Sequence, residues 1–489
     1  MATLFVARVF ADPQFVAGAL NSDTLLPASF WWDALHMPGG WATHDTARIA
    51  SLLPDMAAFG VLQTVAGFAA AVVGAGWLQL VLLLYGAGLL LSRLTGGTVA
   101  DGAAAMTLPL AGIGLLALHE HEWNALTPVL PIIHAGPFAL SLFGIAAAST
   151  LLMGRNRAAF AAVAGAAALV FVSDAMLLLT YVGPVAAASV AGRAAHPPGI
   201  ARVLLALVAG LALGWAGMAA LHAAGLHTGG APGIHPDRFV THARAFVREL
   251  PAWAAQHPAL AVASAILGAA ALATLVPHLT RPITAQSRFV ASVALLSGAA
   301  TVLFTACFYE DLGAYRYLGP AATWVMLLAV APLARHGWRA ATAAVLACTL
   351  VVATSRGELR PVVSTYDTET AACLRNWRGP LGLHAALAGY WRARSTAVAL
   401  DWTMQVDSIR PTGEPLLWAN DPTWFTHDIA DPARPPRYDA IIVDDLDTAA
   451  LERRYGSPAR VVTCPGATLW HYMDGADIQR RLTNDYRPR

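Results

Sequence analysis

The chain has 489 residues, of which 57% are hydrophobic and only 12% charged, with a formal net charge of +1. Its mean hydropathy is +0.53. About a quarter of the residues of a soluble domain are charged, so this composition excludes an ordinary water-soluble protein, and the balanced charge offers nothing to nucleic acid. All 31 Lys-plus-Arg positions are arginine, a bias of coding composition rather than a binding pattern, and the 41 glycines suit close helix packing in a bilayer.

At the start of the chain, Met1–Phe10 is apolar but short, Arg8 interrupts it and Asp12 follows, which predicts no cleavable signal peptide and a poor first span. Residues about 20–75 then predict a first outer loop, within which Ser51–Val73 reads as a helix lying in or re-entering the interface. Stretches approaching the ~20 apolar residues a span needs follow at Gly76–Ser92, Ala103–Leu118, Ile132–Met153, Ala158–Val172, Ala175–Val190 and Ile200–Ala224. Others are Leu260–Leu275, Phe289–Cys307, Pro320–Leu333 and Ala340–Ala353. The expected fold is a polytopic α-helical membrane protein of about 10–12 transmembrane helices.

Arginine placement supplies a direction. Arg93, Arg155 with Arg157, Arg193 with Arg202, Arg281 with Arg288, and Arg335 with Arg339 all fall in short connections. If those connections are cytoplasmic, the spans alternate without conflict. Leu226–Pro258, which carries Arg238, Arg244 and Arg248 on the other side, is the exception. Residues 1–354 are thus expected to form the membrane domain of a bacterial inner-membrane protein, and residues 355–489 a periplasmic α/β domain. In the latter, charge rises, and the strand-like runs Ala397–Leu400, Ala440–Val443 and Arg460–Thr463 alternate with helical segments such as Ala449–Tyr455. Asp444 and Asp445 close a strand where ligands sit in α/β folds, or simply cap it. Cys373 and Cys464 share this domain and are the candidates for a disulfide in an oxidising compartment; Cys307 and Cys348 read as buried apolar residues.

Ionisable groups near membrane depth are costly and mark function, and here they crowd the outer side. The first loop mixes carboxylates with aromatics: Asn21-Ser22-Asp23, Phe30-Trp31-Trp32-Asp33, Trp41, His44, Asp45 and Pro54-Asp55. A carboxylate there can take a proton from an acceptor hydroxyl, and Asp23 is the candidate base; the competing reading is a helix cap. His119-Glu120-His121-Glu122-Trp123 ends a span. A divalent metal on His119, His121 and Glu122 would need further ligands, such as His134 or Asp23, because residues two apart on a helix do not share a face. The same residues also suit substrate contacts or a solvated turn. His134 and Asp174, each at a span end, read as cavity-lining or as structural. Glu310 and Asp311 precede Tyr315-Arg316-Tyr317, where the guanidinium fork of Arg316 suits a lipid phosphate; an ion pair to Glu310 or Asp311 is the alternative. The substrate-cavity candidates are therefore Asp33, Asp55, His119, Glu120, His121, His134, Asp174, Glu310 and Asp311.

No Walker loop, dinucleotide-binding turn or nucleophile elbow is present, and no cytoplasmic domain is available for a nucleotide sugar, so a donor would be lipid-linked. Asn21-Ser22-Asp23 in the first loop, the proline-bearing segment from Leu53-Pro54-Asp55, and Arg316-Tyr317-Leu318-Gly319-Pro320 follow one another in an order that resembles the GT-C superfamily of integral-membrane glycosyltransferases. The likeness is to the protein O-mannosyltransferase and aminoarabinose transferase branch and covers roughly residues 20–355. It departs at Thr24, where a second acid would follow Asp23. The resemblance implies a polyprenyl-phosphate-sugar donor, a glycan, lipid or protein acceptor, inverting transfer with Asp23 as base, and phosphate contact through Arg316 with Tyr317. A flippase for a lipid-linked glycan would instead need polar groups at the midplane and paired broken helices, and no internal repeat is evident. A non-catalytic envelope-assembly protein would leave Asp23 and Arg316 replaceable.

Overall fold

The structure is a computed structural model that describes residues 1–37, 39–42, 45–46, 51–130, 134–174, 176–191, 197–228, 236–281, 284–308, 312–355, 359–417 and 420–484. Glu310, Asp311, His44 and Arg193 lie outside the described residues.

The chain opens with two short helices, α1 (Ala2–Phe10) and α2 (Pro13–Ala19), broken at Asp12, whose side chain caps the second. At about 1.5 Å per residue, α1 covers only about 14 Å, well short of a bilayer. Its Phe5, Val6, Val9 and Phe10 are buried in the bundle. Helix α3 (Leu26–His36) follows, then β1 (Asp45–Thr46), a π-helical turn at Leu52–Met56 and α4 (Ala57–Ala66). Gly67, at φ +83°, lets α4 fold back along α5 (Phe68–Thr95), so that Leu62 meets Gly74 and Phe59 meets Phe68. Helix α5 is continuous from Phe68, so the last residues of the expected first loop are already helical.

The bundle continues through α6 (Val99–Glu120), α7 (Ala135–Met153), α8 (Arg157–Ser173), α9 (Gly183–Ala191) and α10 (Pro197–Ala223). After β2 (His227–Thr228), which pairs in parallel with β1, come α11 (Phe239–Gln256), α12 (Pro258–Thr280), α13 (Ala285–Cys307), α14 (Gly319–Ala334) and α15 (Gly337–Thr354). Among the described residues eight stretches are long and apolar enough to cross a membrane: α5, α6, α7, α10, α12, α13, Ala314–Ala334 and α15. Leu52–Ala66, Arg157–Ser173 and Leu178–Ala191 are shorter apolar helices. Large apolar side chains such as Leu205, Trp215, Ile266, Leu303 and Val345 project outward, as lipid requires. The protein is a multi-pass helical membrane protein.

The two ends of the bundle differ in chemistry. Arg93 bonds Thr150 at one end, and Arg155, Arg157, Arg202, Arg281, Arg288, Arg335 and Arg339 belong to helix ends on that side. The opposite end gathers the end of α6, the start of α7, the end of α8, the starts of α12 and α14, and the first loop. The arginine-bearing segment that broke the charge pattern is α11. It buries Phe246 against Tyr315 and leaves Arg244 and Arg248 exposed.

After α15 the chain forms a mixed five-stranded sheet of β3 (Ala385–Gly389), β4 (Gln405–Ile409), β5 (Tyr438–Ile442), β6 (Arg460–Cys464) and β7 (Ala467–His471), in the order β4-β3-β5-β7-β6. β3 runs parallel to both β4 and β5, and β7 runs antiparallel to β5 and β6. Helices α16 (Glu369–Leu381), α17 (Tyr390–Ala399), α18 (Thr448–Tyr455) and α19 (Gly475–Asn484) pack around it. β3, β4 and β5 are buried throughout, as strands covered on both faces must be. The expected strand Ala397–Leu400 is instead the end of α17, because a short apolar run has no period that separates strand from buried helix. Cys373 of α16 is joined to Cys464 of β6 by a disulfide.

Candidate functional site

The carboxylate- and histidine-bearing end of the bundle is organised by four backbone segments. Asn21 accepts from the backbone of Asp23 and Thr24, closing a turn ahead of α3 that holds the Asp23 carboxylate inward. The Ser51 N–H donates to the Ser173 carbonyl and the Leu53 N–H to Ser173 Oγ, tying the start of the π-turn to the end of α8. Ser51 Oγ in turn accepts the His134 N–H at 3.0 Å. Both Ser51 (φ +44°) and His134 (φ +90°) adopt left-handed backbone conformations, which non-glycine residues hold only where surrounding bonds over-determine them. Asp55 Oδ2 accepts the Gly136 N–H, and a Cβ at Gly136 would stand 1.8 Å from Asp55 Oδ1, so only glycine fits beside this carboxylate.

On this scaffold the side chains form one chain of contacts. Arg316, in the turn before α14, donates through Nη1 to Asp23 Oδ2 at 2.8 Å and through Nη2 to Tyr317 Oη at 3.3 Å. The Tyr317 ring meets the His134 ring edge-on at 5.4 Å. His134 Nδ1 bonds Asp174 Oδ2 at 2.5 Å, and Asp174 Oδ1 also accepts the Met176 N–H. Asp23, Arg316, Tyr317, His134 and Asp174 are thus one network drawn from four parts of the sequence, and Asp55 lies two residues along from His134 at Gly136.

The C-terminal domain closes this network. Tyr390 Oη donates to Asp23 Oδ1 at 2.6 Å, so both carboxylate oxygens of Asp23 are engaged. Burial, and then the Asp23 charge, push the Tyr390 phenol upward, which keeps it a donor. Ser22 donates to the Tyr390 carbonyl, and Arg394 donates to the Ser22 carbonyl. Tyr390 directly follows β3, at the carboxyl end of a parallel strand and across from Asp445, which stands beside Gly389 and accepts from Arg392. Ligands of α/β sheets gather at such strand ends. Asp444 accepts the Thr468 N–H, as a capped strand end does.

Other sequence candidates are placed elsewhere. Asp33 is buried and accepts from Trp424 Nε1 at 2.6 Å; its burial raises its carboxyl well above the usual range. Trp32 stacks on Trp402 at 4.9 Å in the same contact, so α3 docks the two parts of the chain together. Glu120 accepts the Ala259 and Leu260 N–H groups and caps α12. Glu122 accepts from Asn124 and Trp253 and lies 3.3 Å from His257. His119 and His121 are exposed, and His121 takes the left-handed cap of α6. The His-Glu-His-Glu run is thereby divided between two helix caps and solvent, and among the described residues no three His, Cys, Asp or Glu side chains gather as a metal site.

Tyr390, Arg394 and Ser51 were not anticipated from sequence. Tyr390 is 367 residues from Asp23. Its one local signal is the aromatic, arginine-bearing run Tyr390-Trp391-Arg392-Ala393-Arg394 directly after a short apolar strand. Comparison with known proteins finds no matching family model, no matching curated protein and no matching solved structure.

Proposed function

We propose that this protein is a membrane glycosyltransferase that moves a sugar from a polyprenyl-phosphate donor to a glycan, lipid or protein acceptor, in a bacterial inner membrane with the α/β domain in the periplasm. The observation that carries the reading is the Asp23–Arg316 pair at the end of the bundle away from the arginine-rich connections. A carboxylate from the first loop and a guanidinium from the turn before a late helix meet where a lipid phosphate would sit. Arg316 is one-third exposed, and its bonds to Asp23 and Tyr317 leave further N–H donors for phosphate oxygens. The docked domain walls the site on the side of Tyr390, where an acceptor could be oriented.

The test is a deletion strain complemented with wild type, Asp23→Asn or Arg316→Ala, with surface glycans and lipid A profiled by mass spectrometry. The reading expects the deletion to remove a sugar that wild type restores and neither variant does. A wild-type profile from both variants would defeat it and favour an assembly role.

A further inference from the structure

Resting on that reading, we infer that the His134–Asp174 pair, rather than Asp23, takes the proton from the acceptor hydroxyl. Asp23 has both oxygens committed, one to Arg316 and one to Tyr390, and its side chain is 7% exposed. Asp174 is fully enclosed and bonds His134 Nδ1, while the His134 side chain is 14% exposed. A buried carboxylate on Nδ1 fixes the tautomer that leaves Nε2 with its lone pair, and it stabilises the imidazolium formed when Nε2 takes a proton. His134 Nε2 meets no hydrogen-bond partner among the described residues. The arrangement is held against backbone preference: the left-handed turn at His134 is kept by Ser51, itself left-handed, and by Asp174. Strain of this kind concentrates where a side chain must be aimed. Tyr317 touches both the imidazole, at 5.4 Å between ring centroids, and the Arg316 guanidinium, 5.1 Å from its ring centre, so the imidazole and the phosphate-binding group meet at one aromatic ring. Among the described residues, the ionisable groups nearest the imidazole are Asp174 at the end of α8 and Tyr317 ahead of α14, with Arg316 beyond Tyr317 and Asp55 of the π-turn at Gly136.

The step balances without a further reagent. The acceptor oxygen forms a bond to the anomeric carbon as the bond from that carbon to the phosphate oxygen breaks. The electron pair leaves with the lipid phosphate beside Arg316, and the hydroxyl proton passes to His134 Nε2 and then to solvent. Asp23 is then a positioning residue for Arg316 and for the α/β domain.

The test uses the purified full-length protein added to membranes from the deletion strain, with glycan product counted by mass spectrometry. Phosphate binding is followed separately by tryptophan fluorescence with farnesyl phosphate. His134→Gly relaxes the left-handed backbone and removes only the imidazole. It should slow transfer about 100- to 10,000-fold, bind farnesyl phosphate as wild type does, and recover at least about tenfold with added imidazole. His134→Asn, which keeps a donor for Asp174 but no titrating nitrogen, should be as slow and should not recover. Arg316→Ala should lose farnesyl phosphate binding. Transfer at the wild-type rate in His134→Gly, or a loss that imidazole leaves unchanged, overturns the assignment while leaving the glycosyltransferase reading intact. Failure of wild type itself to restore product defeats that reading and this assignment together.

Discussion

Arg316 and Asp23 stand 293 residues apart in sequence and 2.8 Å apart in space, and their ion pair joins the first loop to the turn that opens α14. The pair is mostly enclosed, so losing one partner leaves the other charge poorly compensated. The double variant Arg316→Ala with Asp23→Asn should cost less stability than the sum of the two single losses. A double-mutant cycle on thermal unfolding in detergent should return a coupling of about 1–3 kcal/mol. Additive losses would show that the contact is not maintained in solution.

Gly136 is the tightest point of the site. A methyl there would displace Asp55 and loosen the junction of the π-turn with α7. Gly136→Ala should destabilise the protein by about 1–3 kcal/mol, as overpacking does, whereas alanine at Gly112, which faces open space, should have a far smaller effect. Equal melting shifts for the two would show that the site is not packed as described.

The α/β domain carries its own titrating group. Asp407 in β4 accepts from Gln405 and Tyr438, and burial pushes its carboxyl from 3.8 up to about 7. The folded protein therefore keeps a proton that the unfolded chain releases. This contribution is complete below about pH 4 and is lost as pH rises through about 7. The melting temperature of the domain transition should fall over that window, and Asp407→Asn should flatten the fall. An unchanged pH dependence in the variant would assign it to other groups.

The cysteines divide cleanly. Cys373 and Cys464 are bonded across a separation of 91 residues, while Cys307 and Cys348 are free thiols. In denaturant, an alkylating reagent should add two groups without reductant and four after reduction. Cys373→Ser should destabilise the domain by about 2–5 kcal/mol. Four additions without reductant would remove the cross-link.

Much of the site was legible as residue types at span ends. Arg316, His134 and Asp174 are each marked by an ionisable side chain beside a long apolar run, and Asp23 by the carboxylates and aromatics of the first loop; the bundle brings all four to one end. Glu120 and Glu122 carried the same mark and proved to be caps and bridges, because a carboxylate at a helix end also satisfies the N–H groups of a neighbouring helix, and sequence does not show which neighbour is close. Asp33 was misplaced for a related reason: its partner, Trp424, belongs to the other part of the chain.

By itself the sequence determined that this is a multi-pass helical protein with a polar α/β domain after its last span, and it named Cys373 and Cys464 as candidates for the disulfide that the structure shows. Those properties follow from local composition, since lipid demands uncharged runs of span length and water demands charge. Only the tertiary structure decided that Asp23 answers to both Arg316 and Tyr390, and that His134 is aimed by Asp174 with one nitrogen left over. Those contacts join residues tens to hundreds of positions apart, so their geometry is set by how the helices and the sheet pack, which no local pattern encodes.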